Sequence, residues 1–127
     1  MSRTPDSLPR GTEVYFVEGE NALGEGQQVV KKATVYDFEP TRQYPVLITW
    51  NETQEGLREG GGMVSTEANR VFTGIQVMQA LANQYSPLHR EDVSVDDLVL
   101  DPTAQEGLTT ALLAATRDRR ATDLLYA

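Results

Sequence analysis

The side chains that most often carry enzyme chemistry are scarce in this chain. It contains a single histidine, His89, and no cysteine. A cysteine nucleophile, a thiolate zinc site and a metal site of several histidines are therefore excluded within one chain. We identify no catalytic residue, no metal ligand and no cofactor motif, and we expect a protein without enzyme activity.

An acidic segment, residues 91–101, is the strongest candidate for a metal site. Its carboxylates are Glu91, Asp92, Asp96, Asp97 and Asp101. Hard cations bind carboxylate oxygens, but a calcium loop also needs alternating oxygen ligands and a central glycine, which this segment lacks. We interpret it as a solvated acidic face.

Two glycine-rich stretches have the composition of phosphate-binding loops, namely GEG at 24–26 and EGGG at 59–62. Such a loop opens a helix and carries a lysine or further glycines at fixed spacing. Neither stretch does so, and both are therefore interpreted as turns.

The charge of the chain limits its partners. Nineteen acidic residues against eleven basic ones give a net charge of −8. This charge repels the phosphates of duplex nucleic acid and favours a basic protein as partner. No segment reaches membrane-spanning length, and the first 16 residues contain no apolar run typical of a signal peptide.

Short apolar runs separated by turns predict four or five antiparallel strands between residues 12 and 72, curved into a small barrel. In YPVLITW, residues 44–50, alternation places Val46, Ile48 and Trp50 on the core face, together with Tyr44.

In the first strand, alternation places Val14 and Phe16 on one side and Tyr15 and Val17 on the other. Tyr15 and Tyr36 have the opposite parity to their core neighbours. We therefore expect both rings to be exposed, where a partner could contact them. The alternation of the second strand breaks at Lys31 and Lys32, which predicts a bulge or a bend at that point.

The sequence changes to helical period after residue 73. Thr73 to Gln76 has the pattern of a capping box, followed by an apolar stripe made of Ile75, Met78, Leu81, Ala82 and Tyr85. A second box, Thr103 to Glu106, predicts a helix with Leu108, Ala111, Leu112 and Ala115 on one face. Between them, residues 91–101 fit either a short helix capped by Ser94 or an extended segment.

The C-terminus combines a basic turn with an apolar end. Arginines near a helix C-terminus complement the helix dipole, or they could pair with the acidic segment of another copy and favour a homo-oligomer. The apolar cluster could fold back or insert into a neighbour. The residues concerned are Arg117, Arg119 and Arg120, then Leu124, Leu125 and Tyr126.

Three motifs stand out in residues 11–74, namely GTEVY at 11–15, YPVLITW at 44–50 and TEANRVF at 66–72. In these motifs the chain resembles small SH3-like barrel proteins of tailed phages. The chain departs from the pattern at Trp50, where phenylalanine is usual, and at Ala68 and Asn69, where aspartate and glycine are usual. The resemblance implies an SH3-like barrel and no chemistry, because such barrels bind proteins, peptides or nucleic acids.

Together these features predict an α+β chain, with an SH3-like antiparallel barrel followed by two C-terminal helices. Its parts are a flexible arm at 1–10, the barrel at 11–74 and a helical extension at 75–127. We expect a non-enzymatic interaction module, a phage-encoded structural or assembly component of a virion. The alternative is an acidic phage effector that inhibits a host protein, such as one that binds nucleic acid. Either would place the chain in the virion or the host cytoplasm.

Overall fold

The computed structural model describes residues 4–5, 7–19, 28–52 and 60–125, and these ranges form an α+β structure. The strands are β1 (Glu13–Glu18), β2 (Val29–Phe38), β3 (Val46–Glu52) and β4 (Gly60–Thr66). A 3₁₀ turn (Ala68–Arg70) is followed by α1 (Gly74–Asn83), α2 (Val95–Leu100) and α3 (Gln105–Leu125). The described chain thus has three helices after the sheet rather than the predicted two, because the segment capped by Ser94 is helical.

The four strands form one antiparallel sheet in the order β1-β2-β3-β4. In the described ranges β1 and β4 are its two edges, so the sheet does not close into the predicted barrel. After the 3₁₀ turn the chain returns to β1, where Phe72 and Tyr15 exchange two backbone hydrogen bonds of 2.7 and 3.0 Å. This pairing ends at once because Thr73 already caps α1.

The bulge of β2 lies at Tyr36, and the prediction that placed it at Lys31 and Lys32 is wrong. Val35 pairs with Ile48 and Asp37 with Leu47, so Tyr36 is the extra residue. An extra residue reverses the alternation that follows it. Phe38 therefore packs in the same cluster as Val35.

The sheet buries apolar side chains on both faces, in two clusters. In β1 the predicted alternation is confirmed, because Val14 and Phe16 belong to one cluster while Tyr15 and Val17 belong to the other. The first cluster lies on one face of the sheet and also contains Leu8, Ala33, Val35, Val46, Ile48 and Val71. The second joins the sheet to the helices through Val30, Phe72, Val77, Leu81, Leu98, Leu108 and Leu112.

The N-terminal segment contacts both halves of the molecule. The side chain of Leu8 is buried in the sheet cluster. The hydroxyl of Thr4 donates to the carboxylate of Asp123 in α3. These contacts connect the start of the chain to the last turns of α3.

The capping box at the start of α1 is confirmed, since the Thr73 and Gln76 side chains each accept from the other residue's backbone N–H. The predicted apolar stripe is only partly correct. Ile75 is 85% exposed, and Tyr85 is 94% exposed beyond the helix end. Leu81 is buried as predicted, together with Val77 and Ala80, which the predicted stripe did not include.

The predicted apolar face of α3 is confirmed, with Leu108, Ala111 and Leu112 buried and Ala115 packed against them. The helix begins at Gln105 rather than at the predicted capping box, because Thr103 donates its N–H and hydroxyl to the carboxylate of Asp101. The buried face then continues through three polar residues, Thr116, Arg119 and Thr122.

A candidate protein-interaction groove

The surface beside the edge strand β4 contains a groove of about 530 Å³. It lies between the free edge of β4, the end of β1 and the middle of α3, and we call it the Trp50 groove. Its lining includes Phe16, Val17, Glu18, Tyr44, Trp50, Met63, Val64, Glu67, Arg70 and Leu113.

Trp50 forms one wall of this groove. Its ring packs against Phe16 with centroids 5.2 Å apart and planes inclined by 49°, and the ammonium of Lys31 lies 5.9 Å from its centroid. Trp50 pairs across the strands with Gly62, where an added Cβ would lie 2.1 Å from the ring. The glycine therefore leaves the space that the indole occupies over β4.

The sequence placed Tyr44, Val46, Ile48 and Trp50 on one core face. The prediction is wrong for Tyr44, which lies before β3 and is 49% exposed, and the alternation of the other three is correct. The side chains of Val46 and Ile48 are fully buried, whereas Trp50 is partly exposed at the end of the same row. It both packs against the sheet cluster and lines the groove. Trp50, the aromatic end of YPVLITW, thus lies at the boundary of the core and also forms part of the candidate binding surface.

Exposed apolar side chains are concentrated along the groove. Ten large apolar residues in the described ranges are exposed, and four of them line it. These are Tyr44, Met63, Val64 and Leu113, with exposures from 36 to 59%. An exposed apolar surface of this kind marks an interaction site more often than a scattered leucine does.

A second cleft of about 410 Å³ continues the groove toward the C-terminal half of α3, and we call it the arginine cleft. Arg70, Arg117 and Arg120 line it, beside Leu113 and Val17. Leu113, Val17 and Arg70 also line the Trp50 groove, so the two clefts adjoin. Arg70 was not among the residues selected from the sequence, since it is 47 positions before Arg117 in the chain.

Arg119 does not belong to this surface, because it is only 1% exposed. Its guanidinium donates to the carbonyl of Val71 at 2.7 Å and lies 4.0 Å from the ring centroid of Phe72. Burial lowers its pKa to about 10, so it stays charged at neutral pH. Arg119 therefore joins α3 to the segment that follows the 3₁₀ turn. The prediction that Arg119 forms a surface patch with Arg117 and Arg120 is wrong for Arg119.

Tyr15 is also buried, at 5% exposure, and the expectation of an exposed ring is wrong. Helices cover the face of β1 that the sequence left open, and Tyr15 belongs to their cluster. Its hydroxyl donates to the Asp96 carboxylate at 2.5 Å, and Lys32 lies 3.2 Å from that carboxylate. Burial raises the pKa of Tyr15, and the hydrogen bond from Tyr15 lowers the pKa of Asp96.

The remaining selected residues lie away from the groove. Tyr36 is 46% exposed as expected, and the guanidinium of Arg10 lies 4.6 Å from its ring centroid in a separate cleft. Leu124 and Leu125 are exposed in the last turn of α3. Tyr126 lies outside the described residues.

No protein-family model matches the chain, and neither a curated protein nor a solved structure is significantly similar to it. Within the described ranges, no group of three histidine, cysteine, aspartate or glutamate side chains is arranged to hold a metal ion. None of the helices described is both long and apolar enough to span a membrane.

Proposed function

We propose that this chain is a non-enzymatic protein-interaction module that holds an extended segment of a partner protein in the Trp50 groove. The observation that carries this proposal is the position of an open strand edge beside a groove whose lining includes aromatic and apolar side chains. β4 pairs with β3 on one side, and in the described chain its other edge is open. An extended peptide can add to such an edge as a further strand, and its alternate side chains then enter the pockets beside it.

The sequence of β4 supports this use of its edge. Proteins commonly protect an edge strand with lysine, proline or inward-pointing charges, because unpaired backbone groups invite other chains to pair. β4 has the sequence GGGMVST, which contains none of these residues. Its exposed side chains include Met63 and Val64.

The groove favours a partner segment with alternating apolar side chains. Trp50 and Tyr44 supply aromatic surface, which contributes much of the binding energy at protein interfaces, and the buried ring of Phe16 supports Trp50 from below. Glu18 and Arg70 lie in the lining with opposite charges, and they would orient polar groups of the segment.

We further propose that the chain is phage-encoded and acts as a structural or assembly component of a virion. The motif resemblance in residues 11–74 to SH3-like barrel proteins supports this proposal. The alternative, an effector that captures a basic host protein, is favoured by the net charge of −8.

The single tryptophan of the chain makes the groove directly observable, because Trp50 fluorescence reports whether the groove is occupied. The ligands would be short peptides tiled across the proteins encoded by neighbouring genes, with tiles from basic host proteins as the second set. We expect peptides with alternating apolar residues from the first set to shift the emission of Trp50 in a saturable way. Saturable binding by host tiles alone would favour the effector.

Two tyrosines provide a matched pair of variants. Tyr44 lines the groove and is 49% exposed, whereas Tyr36 is 46% exposed in a separate cleft. We expect Tyr44→Ala to weaken peptide binding about tenfold, as for an interface residue worth 1 to 2 kcal/mol, and Tyr36→Ala to leave it unchanged. Equal effects of the two variants, or no saturable shift with any tile, would contradict the proposal.

Proline substitutions test the strand edge itself. In an antiparallel edge strand, successive backbone N–H groups point alternately toward the partner strand and toward solvent. Of Val64→Pro and Ser65→Pro, only one should remove an outward N–H, so only one should abolish binding while the fold is kept. Retained binding by both folded variants would argue against strand addition.

A further inference from the structure

We propose that copies of this chain associate head to tail, with the acidic face of α2 from one copy seated in the arginine cleft of the next. This inference rests on the charges of the two surfaces. It does not depend on a peptide in the Trp50 groove.

The arginine cleft concentrates positive charge in an acidic protein. Three of the eleven basic residues line it, while the chain carries a net charge of −8. Leu113 lies four residues before Arg117 and seven before Arg120, so these side chains share one face of α3. Arg120 lies 3.6 Å from Glu67, but both side chains are at least 40% exposed and such a surface pair contributes little. The cleft thus combines three arginines with the apolar side chains of Val17, Phe72 and Leu113.

The face of α2 has the complementary composition. Asp97 and Asp101 are exposed, and Leu100 between them is 81% exposed. Asp97 and Leu100 are three residues apart and therefore lie on the same side of the helix. An exposed leucine beside carboxylates is complementary in charge to an exposed leucine beside arginines, and the two leucines supply apolar surface to the same contact.

The two surfaces belong to different regions of one copy. α2 lies at the start of α3, where the side chain of Gln105 accepts from the N–H of Val30 and donates to the carbonyl of Val99. Arg117 follows Gln105 by 12 residues, which is roughly 18 Å along the helix axis. Contact between different surfaces of identical chains is a heterologous interface, which builds a ring or a filament.

Light scattering with the full chain tests this inference over a concentration series at low and high salt. We expect the mass to rise with concentration at low salt and the association to weaken about tenfold or more at high salt, because the contact is built on exposed charges. A wild-type chain that stays monomeric under all these conditions would overturn the inference.

Two variants separate the surfaces. R70E/R117E reverses the charge of the cleft, and D97R/L100R that of the acidic face. Each should be monomeric alone, because its cleft and its face then carry charges of the same sign. An equimolar mixture should form at least a one-to-one pair, since the intact face of the first variant meets the intact cleft of the second, and their two reversed surfaces are also opposite in charge. Assembly by either variant alone, or a mixture without the pair, would refute the head-to-tail arrangement.

A control removes net charge as the explanation. R10E/R42E changes two exposed arginines elsewhere and gives the same net charge as R70E/R117E. We expect it to assemble like the wild-type chain. Loss of assembly in this control would show that overall repulsion, rather than the cleft, governs association. If R70E/R117E proves unfolded by circular dichroism, R117E alone and D97R/L100R still decide the question.

Discussion

Replacing Gly62 with alanine adds one methyl group at the point where β4 lies against Trp50, which forms one wall of the Trp50 groove. The added Cβ would lie 2.1, 2.5 and 2.6 Å from three carbon atoms of the Trp50 ring. Ordinary contacts between carbon atoms are about 3.5–4.0 Å, so the indole must move by roughly an ångström or more. Its packing against Phe16 and its position over β4 cannot both survive this shift.

The expected cost follows from two opposing effects. Overpacking of a filled site costs about 1–3 kcal/mol. A glycine-to-alanine change also stabilises by about 0.4–1 kcal/mol, because the unfolded chain loses conformational freedom. We therefore expect Gly62→Ala to lower the free energy of unfolding by about 1–2 kcal/mol.

Urea denaturation followed by circular dichroism measures this change, and the emission of Trp50 reports a more exposed indole. The double variant Gly62→Ala/Trp50→Ala provides the decisive comparison. In the Trp50→Ala background the clash is absent, so the alanine at 62 should be neutral or stabilising, which gives a coupling energy of about 1–3 kcal/mol. Additive effects of the two substitutions would refute the account of Gly62 as the residue that accommodates the ring.

Two further predictions concern the buried polar contacts. Arg119→Ala should lower the free energy of unfolding by about 2–4 kcal/mol, because it leaves a cavity and an unpaired Val71 carbonyl. Arg119→Met should lower it less, because the methionine side chain refills the space. Equal small losses for both variants in urea denaturation would show that the contact is dispensable. Burial raises the pKa of Tyr15 above its ordinary value of 10.0, so the stability it contributes is complete below pH 10 and falls as the pH rises further. The lowered pKa of Asp96 adds stability that is present above its ordinary value of 3.8 and is lost in acid. Tyr15→Phe should flatten both ends of a stability profile measured from pH 3 to 11, and an unchanged alkaline decline would contradict this assignment.

Local periodicity determined much of the secondary structure. In β1 the alternation of Val14 and Phe16 against Tyr15 and Val17 is set by the pleat of the strand, which requires only covalent geometry. The same holds for the face of Leu108 and Leu112 in α3 and for the cap at Thr73. These features depend on residues within a few positions of one another, so the sequence contains all the information that they need.

Tertiary packing determined which of these faces are covered. Tyr15 looked exposed because its strand offers two faces, and only the helices that pack there show that both are buried. Arg119 looked like surface charge, yet α3 places it against Val71 and Phe72, where a carbonyl and a ring accept the guanidinium. Tyrosine and arginine have an apolar body and a polar end, so either can lie in the core or at the surface, and the local sequence pattern does not determine which.

The candidate surfaces likewise depend on contacts between distant parts of the chain. The sequence identified Arg117 and Arg120 through their position in α3, but Arg70 joins them only because the 3₁₀ turn packs beside that helix. Trp50 lines a groove because Gly62, from the neighbouring strand, leaves space for its ring. The hydrophobic period of a helix or strand and the capping of a helix follow from neighbouring residues. Which side chains are buried, and which distant residues come together in one surface, depends on the register of the strands and the docking of the helices, and no local pattern encodes these.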